Sequence, residues 1–377
     1  NQYLRKSFSN EGNTRTFTWS SWVKRSSFGD WQRIFTCEPG SNLIAGLSFT
    51  GAVSGSYPID GIRIQQQDTD GNNNHFRTTS VYRDTGWYHI VMRVDTTSGT
   101  PGDRVRLYVN GELAPGGWSA GNIPSQNSRY YYNRTNNYHE IGHSTHYNAY
   151  YDGRMSQVYF IDGQSLGPEE FGYTDPLTGT WRPKKYTGAF TKSSPNNGTN
   201  WTQSLSATSG TLSNGANAFD GNLSTRAQTA NAAPGKELTF APPAINFTTS
   251  LEVYCDQGSA VPTATWNGNT VNPGGGAWVT VYSGSGELSS TYPLVINTES
   301  AAQYATLKGV RIDGEILIDN LNDTGANSFY LPMDGNTPIG KDQSGNGNDW
   351  TPVNLTGSVT PDNPTADGAL SILKPYK

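Results

Sequence analysis

The 377-residue sequence has few of the residues that disulfide frameworks, nucleic-acid-binding surfaces and membrane helices need. It contains two cysteines and 15% charged residues, and its net charge is −5. A disulfide framework needs more cysteines at shorter spacings, and a nucleic-acid-binding surface needs a basic face. No apolar run approaches the ~20 residues that a membrane-spanning helix requires. We therefore expect no nucleic acid as a partner and no membrane insertion, and we predict that Cys37 and Cys255 are small core residues.

Glycine, proline and aromatic residues are abundant instead. There are 43 glycines and 21 prolines, and aromatic side chains make up 12% of the chain. This composition is poor for helices and typical of many short strands joined by tight turns. A chain of 377 residues is long enough for two or three domains, each with its own core. The composition predicts an all-β protein with more than one domain.

The clearest strand pattern lies between residues 87 and 113. In WYHIVMRVD (87–95) and RVRLYVNGEL (104–113), apolar residues occupy alternate positions, which places them on one face of a strand. Asn110-Gly111 tolerates positive φ at both centres of a tight hairpin turn. The pattern predicts two antiparallel strands in the middle of a β-sandwich sheet.

Two further segments join this one in a family resemblance. TFTWSSWVKR (16–25) lies before it, and YDGRMSQVYFIDGQSLGPEEF (151–171) lies after it. Together the three resemble the early, central and closing strands of laminin-G-like, concanavalin A-type jelly-roll domains, over residues 3–173. The apolar parity changes near Ser156-Gln157, which predicts a β-bulge, and Ser165–Phe171 has the proline and acidic residues of a short helix.

The predicted fold class is all-β, with two jelly-roll or β-sandwich domains. We predict a laminin-G-like sandwich over 1–173, a connector with proline and glycine over 174–200, and a second β-sandwich over 201–321. NAFDGNLSTRAQT (217–229) resembles a loop of discoidin-like jelly rolls. Residues 322–377 form a C-terminal strand and extended tail, and we expect the strand to dock onto an earlier domain because it would otherwise expose apolar surface. In the connector, Trp181 and Tyr186 are predicted to dock against a neighbouring domain.

The segment His139-Glu140-Ile141-Gly142-His143 fits the H-E-x-x-H pattern of zinc proteases. That pattern needs a helix, whereas this segment contains a glycine and aligns with a strand of the resembled family. Residues four apart on a strand lie ~13 Å apart, too far for one metal ion. His146 does not supply the missing third ligand. We therefore predict a surface strand with exposed histidines, with no catalytic residues.

A glycoside hydrolase, which this fold also hosts, would need two carboxylates across a cleft. Glu112 and Glu140 stand alone in the sequence, and Glu169-Glu170 complements the dipole of the short closing helix. We therefore expect no enzymatic activity.

Sugar binding is the better functional hypothesis. Aromatic rings stack on sugar C–H surfaces, and histidine and asparagine side chains bond to hydroxyl groups, but tyrosines serve protein interfaces equally well. Glycan contact and protein interface therefore both stay open for the tyrosine-rich segment 129–151. Its candidate residues are Tyr130, Tyr131, Tyr132, Tyr138, His143, His146, Tyr147 and Tyr150.

Calcium binding is the one cofactor hypothesis that the sequence leaves open. Asp220 and Asn222 lie in an oxygen-rich loop, as do Asp68–Asn72 and Asp342–Asp349. Asp68–Asn72 does not match an EF-hand loop, and each of the three loops has an ordinary explanation as an Asx turn.

The order of the segments has a wider resemblance. A laminin-G-like domain, WRPKKYTGAF (181–190), a strand-rich domain ending in DGEILID (313–319) and FYLPMDGN (329–336) together resemble virion proteins of tailed, especially marine, bacteriophages. This resemblance implies a non-enzymatic tail fibre or capsid-decorating subunit on the virion surface. Its partners would be other virion proteins, further copies of itself in a homo-oligomer such as a trimer, and host-surface polysaccharide. The alternative is a secreted or cell-surface bacterial lectin that acts as an adhesin.

Overall fold

The computed structural model describes residues 2–40, 43–52, 58–67, 73–118, 122–208, 211–256, 262–274, 276–298, 303–355 and 364. These residues form β-strands and short 3₁₀ helices, and none of them lies in an α-helix. The chain divides into two compact units, one of residues 1–192 with 324–377 and the other of residues 193–323. The predicted all-β class is confirmed. Among the described residues, the 3₁₀ helices are Pro101–Asp103, Pro168–Glu170, Trp201–Ser204 and Gly215–Ala218.

The first unit contains two large sheets. Its strands are β1 (Tyr3–Lys6), β2 (Thr16–Arg25), β3 (Gln32–Gly40), β4 (Leu43–Phe49), β5 (Ile62–Gln67), β6 (Asn73–Thr78), β7 (Trp87–Asp95), β8 (Val105–Val109), β9 (Glu112–Leu113), β10 (Gly116–Trp118), β11 (Tyr138–Ile141), β12 (His143–Ser144), β13 (Ala149–Tyr150), β14 (Gly153–Asp162), β15 (Gly172–Thr174), β16 (Trp181–Pro183), β31 (Phe329–Leu331) and β32 (Thr351–Val353). The eight-stranded sheet has the order β10-β6-β5-β4-β3-β11-β1-β32, and the six-stranded sheet has the order β31-β14-β2-β7-β8-β9.

Alternating apolar residues of both sheets meet in one core. Trp19 of β2 stacks on Phe35 of β3 at 4.1 Å between ring centroids, and both side chains are fully buried. Phe17 and Phe160 extend the same cluster. Full burial of one such side chain stabilises the fold by roughly 1.5–3 kcal/mol. The polar residues of the eight-stranded sheet therefore lie on its other face, which we call the outer face.

Two local predictions for this unit are confirmed. Asn110 and Gly111 have φ values of 50° and 86° and form the turn between β8 and β9. The pairing of β14 with β2 shifts register between Ser156 and Tyr159, and Gln157 has φ 48°. The bulge turns Val158 and Phe160 into the core and Tyr159 towards the other face of the six-stranded sheet.

The segment between the end of β14 and residue 193 packs onto that other face of the six-stranded sheet. Tyr186 is buried against Phe171 and Tyr159, and the Trp181 Nε1–H donates a hydrogen bond to His89 Nδ1 at 2.9 Å. The remaining proton of His89 therefore lies on Nε2, 2.8 Å from the Ser20 hydroxyl. Complete burial lowers the pKa of His89 to about 3, so its ring is neutral.

The C-terminal segment completes both sheets of the first unit, as predicted for a docking strand. β31 pairs with β14, and β32 pairs with β1. Between them Trp350, which is 3% exposed, packs on Phe329 and Phe35 in the core. Asp342 and Asp349 hold the intervening loop because their carboxylates accept hydrogen bonds from its backbone N–H groups and from the Ser344 hydroxyl.

The second unit consists of shorter strands. They are β17 (Leu205–Ala207), β18 (Leu212–Ser213), β19 (Ala227–Thr229), β20 (Glu237–Phe240), β21 (Ile245–Phe247), β22 (Ser250–Tyr254), β23 (Thr263–Trp266), β24 (Asn269–Val271), β25 (Trp278–Ser283), β26 (Gly286–Leu288), β27 (Leu294–Asn297), β28 (Thr306–Leu307), β29 (Gly309–Ile312) and β30 (Glu315–Ile316). Its sheets have the orders β17-β20-β27-β23-β24, β18-β19-β28, β21-β26 and β25-β22-β29-β30.

Local turn chemistry and burial also follow the sequence in the second unit. Asn267-Gly268 and Asp313-Gly314 form the hairpin turns β23–β24 and β29–β30 with positive φ at each position. Cys255 lies in the buried core of this unit, and Cys37 lies in that of the first, so both predicted core cysteines are confirmed. The discoidin-like character of this unit stays a prediction.

Two sequence predictions fall on residues that are not described. The loop Asp68–Asn72 and the tail after residue 355, except Pro364, lie outside the described residues. Among the described residues, no helix combines the length and the apolar composition that crossing a membrane demands.

Candidate functional site

The first tyrosines of the segment 129–151 are core residues. Tyr130 and Tyr132 are fully buried, so neither can contact a glycan or a partner, and the prediction for these two was wrong. The Tyr132 ring stacks on Phe35 at 4.7 Å, and its hydroxyl donates a hydrogen bond to the Phe35 carbonyl. Tyr131 is half-buried against the same core. The physical reason is that both rings pack edge-on against Phe17 in the core between the two sheets.

The H-E-x-x-H segment lies on β11 and β12, and no three metal-ligating residues cluster among the described side chains. His139 faces the core, where its Nε2 accepts a hydrogen bond from the Asn133 N–H at 2.9 Å. Burial lowers the pKa of His139 to about 3. His139 and His143 are 0% and 4% exposed, so the prediction of exposed histidines was wrong for both, and it holds for His146.

Glu140 is a buried carboxylate that organises the outer face at this point. Its Oε1 accepts hydrogen bonds from Arg5 Nε and Nη2 and from the Thr145 hydroxyl, at 2.8, 2.5 and 2.8 Å. Its Oε2 accepts from the Thr145 N–H at 2.9 Å and lies 3.0 Å from His143 Nδ1. Charged hydrogen bonds of this kind are stronger than neutral ones. Glu140 therefore fixes strand β1, strand β12 and the turn after it in one arrangement.

The partners of Glu140 have shifted pKa values. Burial acts to lower the pKa of Arg5, but the hydrogen bond and charge of Glu140 raise it above its ordinary value. Burial lowers the pKa of His143 despite the nearby carboxylate. The neutral ring donates its Nδ1–H to Glu140, which leaves Nε2 as an acceptor with no partner among the described residues.

Aromatic rings and the Arg5 guanidinium form a continuous stack above Glu140. The Arg5 guanidinium lies 4.7 Å from the Tyr138 ring and 5.2 Å from the Tyr3 ring. Tyr3 stacks on His143 at 4.2 Å, and His143 lies 4.3 Å from Tyr150. Tyr138 is 56% exposed, which is unusual for so large a side chain.

A short turn presents a second exposed tyrosine ring on the same outer face, beside Arg33. Glu38 accepts hydrogen bonds from the Ser144 hydroxyl and the His146 N–H, which holds the turn 145–148 against β3. Tyr147 is 45% exposed, and the Arg33 guanidinium lies 4.4 Å from its ring. We call Tyr3, Tyr138, Tyr147 and Tyr150 the tyrosine surface.

The sequence interpretation missed two members of this arrangement, Tyr3 and Arg5. They lie more than 120 residues before the tyrosine-rich segment, and the pairing of β1 with β11 brings them together. The alternation in Tyr3–Lys6 places Tyr3 and Arg5 on one face of a strand, but nothing in the sequence names that strand's neighbour.

The calcium candidates have internal partners. Asp220 accepts hydrogen bonds from the Asn222 N–H and the Thr225 hydroxyl, and the Asn222 side chain accepts from the Ser224 N–H and hydroxyl. The loop is therefore an Asx turn whose carboxylate oxygens bond to their own loop. No ligand set for calcium follows from this geometry.

The family comparison agrees with this architecture. Residues 1–170 match the laminin-G-like family model described as the concanavalin A-like lectin/glucanases superfamily. The predicted laminin-G-like fold of the first domain is thereby confirmed, and the fold is that of a lectin-like jelly roll. A search of curated proteins found no match.

Solved structures show distant similarity. A native heptameric SAP-like pentraxin from Limulus polyphemus is 16% identical over 44% of this chain and 71% of its own, with a TM-score of 0.30. The Ruminococcus gnavus IT-sialidase CBM40 bound to α2,6 sialyllactose is 17% identical over 45% and 95%, with a TM-score of 0.28. The tailspike protein 2 of an Escherichia coli O157:H7 bacteriophage is 11% identical over 44% and 22%, with a TM-score of 0.31. Because TM-scores below 0.5 do not establish a shared fold, the fold assignment rests on the family match and the strand topology.

Proposed function

We propose that the protein is a non-enzymatic glycan-binding subunit and that the tyrosine surface is its binding site. The observation that carries this proposal is the stack of Tyr138, Arg5, Tyr3, His143 and Tyr150 on the outer face of a lectin-like sheet. Exposed aromatic faces offer C–H stacking to a sugar ring, and the surrounding hydroxyl, imidazole and guanidinium groups offer hydrogen bonds.

Preorganisation supports a binding role over accidental exposure. Glu140 and Glu38 hold Arg5 and the turn 145–148 through charged or backbone hydrogen bonds, so the rings are positioned before any ligand arrives. Binding to a rigid surface avoids the entropy cost of ordering side chains on association. The same geometry fits a flat polysaccharide chain better than a small ligand that must be enclosed.

The absence of enzymatic activity is part of the proposal. Glu38 and Glu140 lie on the neighbouring strands β3 and β11, but both already accept hydrogen bonds from fixed donors. A glycoside hydrolase needs one carboxyl group that protonates a leaving group and a second that acts as nucleophile or base. Carboxylates committed to structural donors are poor candidates for either task.

We further propose that the chain is a bacteriophage tail-fibre or capsid-decorating subunit that attaches to host-surface polysaccharide. The support is the resemblance in segment order set out above. The alternative is a secreted or cell-surface lectin. Light scattering and electron microscopy separate the two, because a stable trimer or a symmetric array on particles supports the virion role and a sugar-binding monomer contradicts it.

Glycan binding is tested on an array of bacterial surface polysaccharides with the intact chain. Tyr138→Ala and Tyr147→Ala are each expected to weaken binding at least tenfold, because each removes a stacking face. Tyr292→Ala, which removes a 44% exposed tyrosine of the second unit, is the matched control and should bind normally. If neither variant differs from the control, or if the tyrosine surface proves to be buried between copies of the chain, glycan binding at this surface is contradicted and the interface alternative is favoured.

A further inference from the structure

A row of three arginines lies on the outer face of the eight-stranded sheet, next to the tyrosine surface. Arg77 of β6 pairs directly with Arg63 of β5, Arg63 pairs with Ser48 of β4, and Ser48 pairs with Arg33 of β3. Strands lie roughly 4.8 Å apart, so the row extends across about 14 Å of the sheet. We call Arg33, Arg63 and Arg77 the arginine row.

This row is unusual because like charges directly opposite each other destabilise a sheet. Two of its side chains are also largely withdrawn from water, since Arg33 is 3% exposed and Arg63 is 8% exposed. Burial lowers the pKa of Arg33. A buried charge costs free energy unless a partner compensates it.

The compensation that Arg33 receives from the described residues is incomplete. Its guanidinium lies 5.0 Å from the Trp31 ring and 4.4 Å from the Tyr147 ring, and its Nη1 donates a long 3.3 Å hydrogen bond to the Ser48 hydroxyl. Its Nε has no hydrogen-bond partner among the described residues, and no described carboxylate forms an ion pair with it. The charge of Glu38 acts on Arg33, but the Glu38 carboxylate already accepts hydrogen bonds from the Ser144 hydroxyl and the His146 N–H.

The middle of the row lies beside an aromatic ring and a histidine. The Arg63 guanidinium lies 5.2 Å from the Trp31 ring, and its Nη2 lies 2.9 Å from His75 Nε2. Burial and the charges of Arg63 and Arg77 lower the pKa of His75 to about 4. Arg77, Trp31 and His75 are only half-buried, so these side chains reach the surface at this end of the row.

We propose that the protein selects acidic saccharides, with the arginine row attracting their carboxylate or sulfate groups while the tyrosine surface stacks on neighbouring sugar rings. This inference rests on the proposed glycan-binding function and gives it a ligand class. Tyr147 belongs to the tyrosine surface and covers Arg33, so one extended saccharide chain can contact both features. Guanidinium groups suit carboxylate and sulfate oxygens because their planar donors match the geometry of these anions.

The test compares pairs of polysaccharides that differ only in charge. One pair is a uronic-acid polysaccharide and its carboxyl-reduced form, and the other is a sulfated polysaccharide and its desulfated form. Titration calorimetry of the intact chain should show at least tenfold tighter binding of one or both acidic forms, with an affinity that falls as salt is added. The two pairs distinguish carboxylate from sulfate as the recognised group.

Variants assign the effect to the row. Arg77→Gln should weaken binding of the acidic form roughly tenfold, which is the value of one charged hydrogen bond, and leave binding of the neutral form unchanged. Arg154→Gln, which removes an exposed charge from the other sheet, is the matched control and should change neither. In NMR spectra, saturation with the acidic form should raise the pKa of His75, because the bound anion offsets the arginine charges.

The outcomes separate this inference from the function on which it rests. If acidic and neutral forms bind equally well and Arg77→Gln has no effect, the inference is overturned and glycan binding stands. If no form of any polysaccharide binds, both are overturned. If acidic forms bind more tightly but Arg77→Gln and Arg154→Gln act alike, charge selection is a property of the whole surface and the assignment to the arginine row is wrong.

Discussion

Glu140 is the residue on which the tyrosine surface depends. Its carboxylate is 1% exposed and accepts hydrogen bonds from Arg5, Thr145 and His143. From sequence alone Glu140 belonged to a false metal motif, because H-E-x-x-H is read along the chain. Its actual partners lie on a strand more than 130 residues away and in a following turn. Such sequence patterns are local, whereas the hydrogen bonds from Arg5 come from a strand 135 residues away in the sequence.

Glu140→Gln tests this role at the residue scale. The substitution removes the charge that compensates Arg5, and it places amide protons opposite donors. We expect the free energy of unfolding of the first unit to fall by about 2–3 kcal/mol. Urea denaturation measures this change, and Glu112→Gln, an exposed carboxylate on β9, should stay within about 0.5 kcal/mol of the native protein. Equal effects of the two substitutions would show that the Glu140 network contributes nothing specific.

The buried histidines predict an acid-sensitive fold. The pKa of His89 and that of His139 are each lowered to about 3 by burial, against an ordinary value of 6.5. Between these values the unfolded chain binds protons that the native chain does not, so stability is complete above pH 6.5 and falls as the pH drops towards 3. The expected slope is about 1.4 kcal/mol per pH unit for each histidine.

Thermal and urea unfolding between pH 7 and pH 4.5 measures this slope. His139→Gln should reduce it by the share of one histidine, whereas His146→Gln, at an exposed position, controls for the substitution itself. An unfolding free energy that does not change with pH over this range would contradict the neutral, buried state of both rings.

At the scale of elements, the sequence predicted what local backbone geometry decides. Asn110-Gly111, Asn267-Gly268 and Asp313-Gly314 form the expected turns because few other dipeptides accept two positive φ values. The shift of apolar parity at Ser156-Gln157 identified the bulge because side chains on a strand alternate strictly. Tyr130 and Tyr132 were misassigned because the stretch that carries them has no period, so nothing in it distinguishes an inward ring from an outward one.

The C-terminal segment provides the prediction at this scale. Trp350 inserts between Phe329 and Phe35, so Trp350→Ala would leave a cavity between the two sheets. We expect the first unit to lose about 3–5 kcal/mol of stability. Denaturant unfolding followed by near-ultraviolet circular dichroism measures the loss, with Leu177→Ala, at a 94% exposed position, as the control. Equal stability of the two variants would mean that this segment only rests on the surface.

At the scale of the whole molecule, the second unit is inserted in the sequence of the first, between residues 192 and 324. The Lys192 N–H donates a hydrogen bond to the Thr324 carbonyl at 2.9 Å, so the chain leaves and re-enters the first unit at adjacent points. Likewise, the Asp323 N–H donates a hydrogen bond to the Asn196 carbonyl at 2.8 Å, which joins the beginning and the end of the second unit. Each unit also has its own apolar core.

Excision tests this organisation. Removal of residues 193–323, with a two-glycine joint between Lys192 and Thr324, should leave a folded first unit with cooperative thermal unfolding. Truncation after residue 323, which removes β31 and β32 together with the tail, should instead expose core residues and cause aggregation. Circular dichroism and light scattering distinguish the two products. If the excised form aggregates and the truncated form folds, the C-terminal strands are not part of the first unit.

Hydrogen exchange with a bound ligand tests the central proposal most directly. The intact chain would be compared with and without a saturating host-surface polysaccharide, with peptides covering both units. We predict protection of residues 3–6 and 138–150, the strands and turn that carry the tyrosine surface, and no change in residues 193–323. Protection confined to the second unit, or none anywhere despite measured binding, would contradict the tyrosine surface as the binding site.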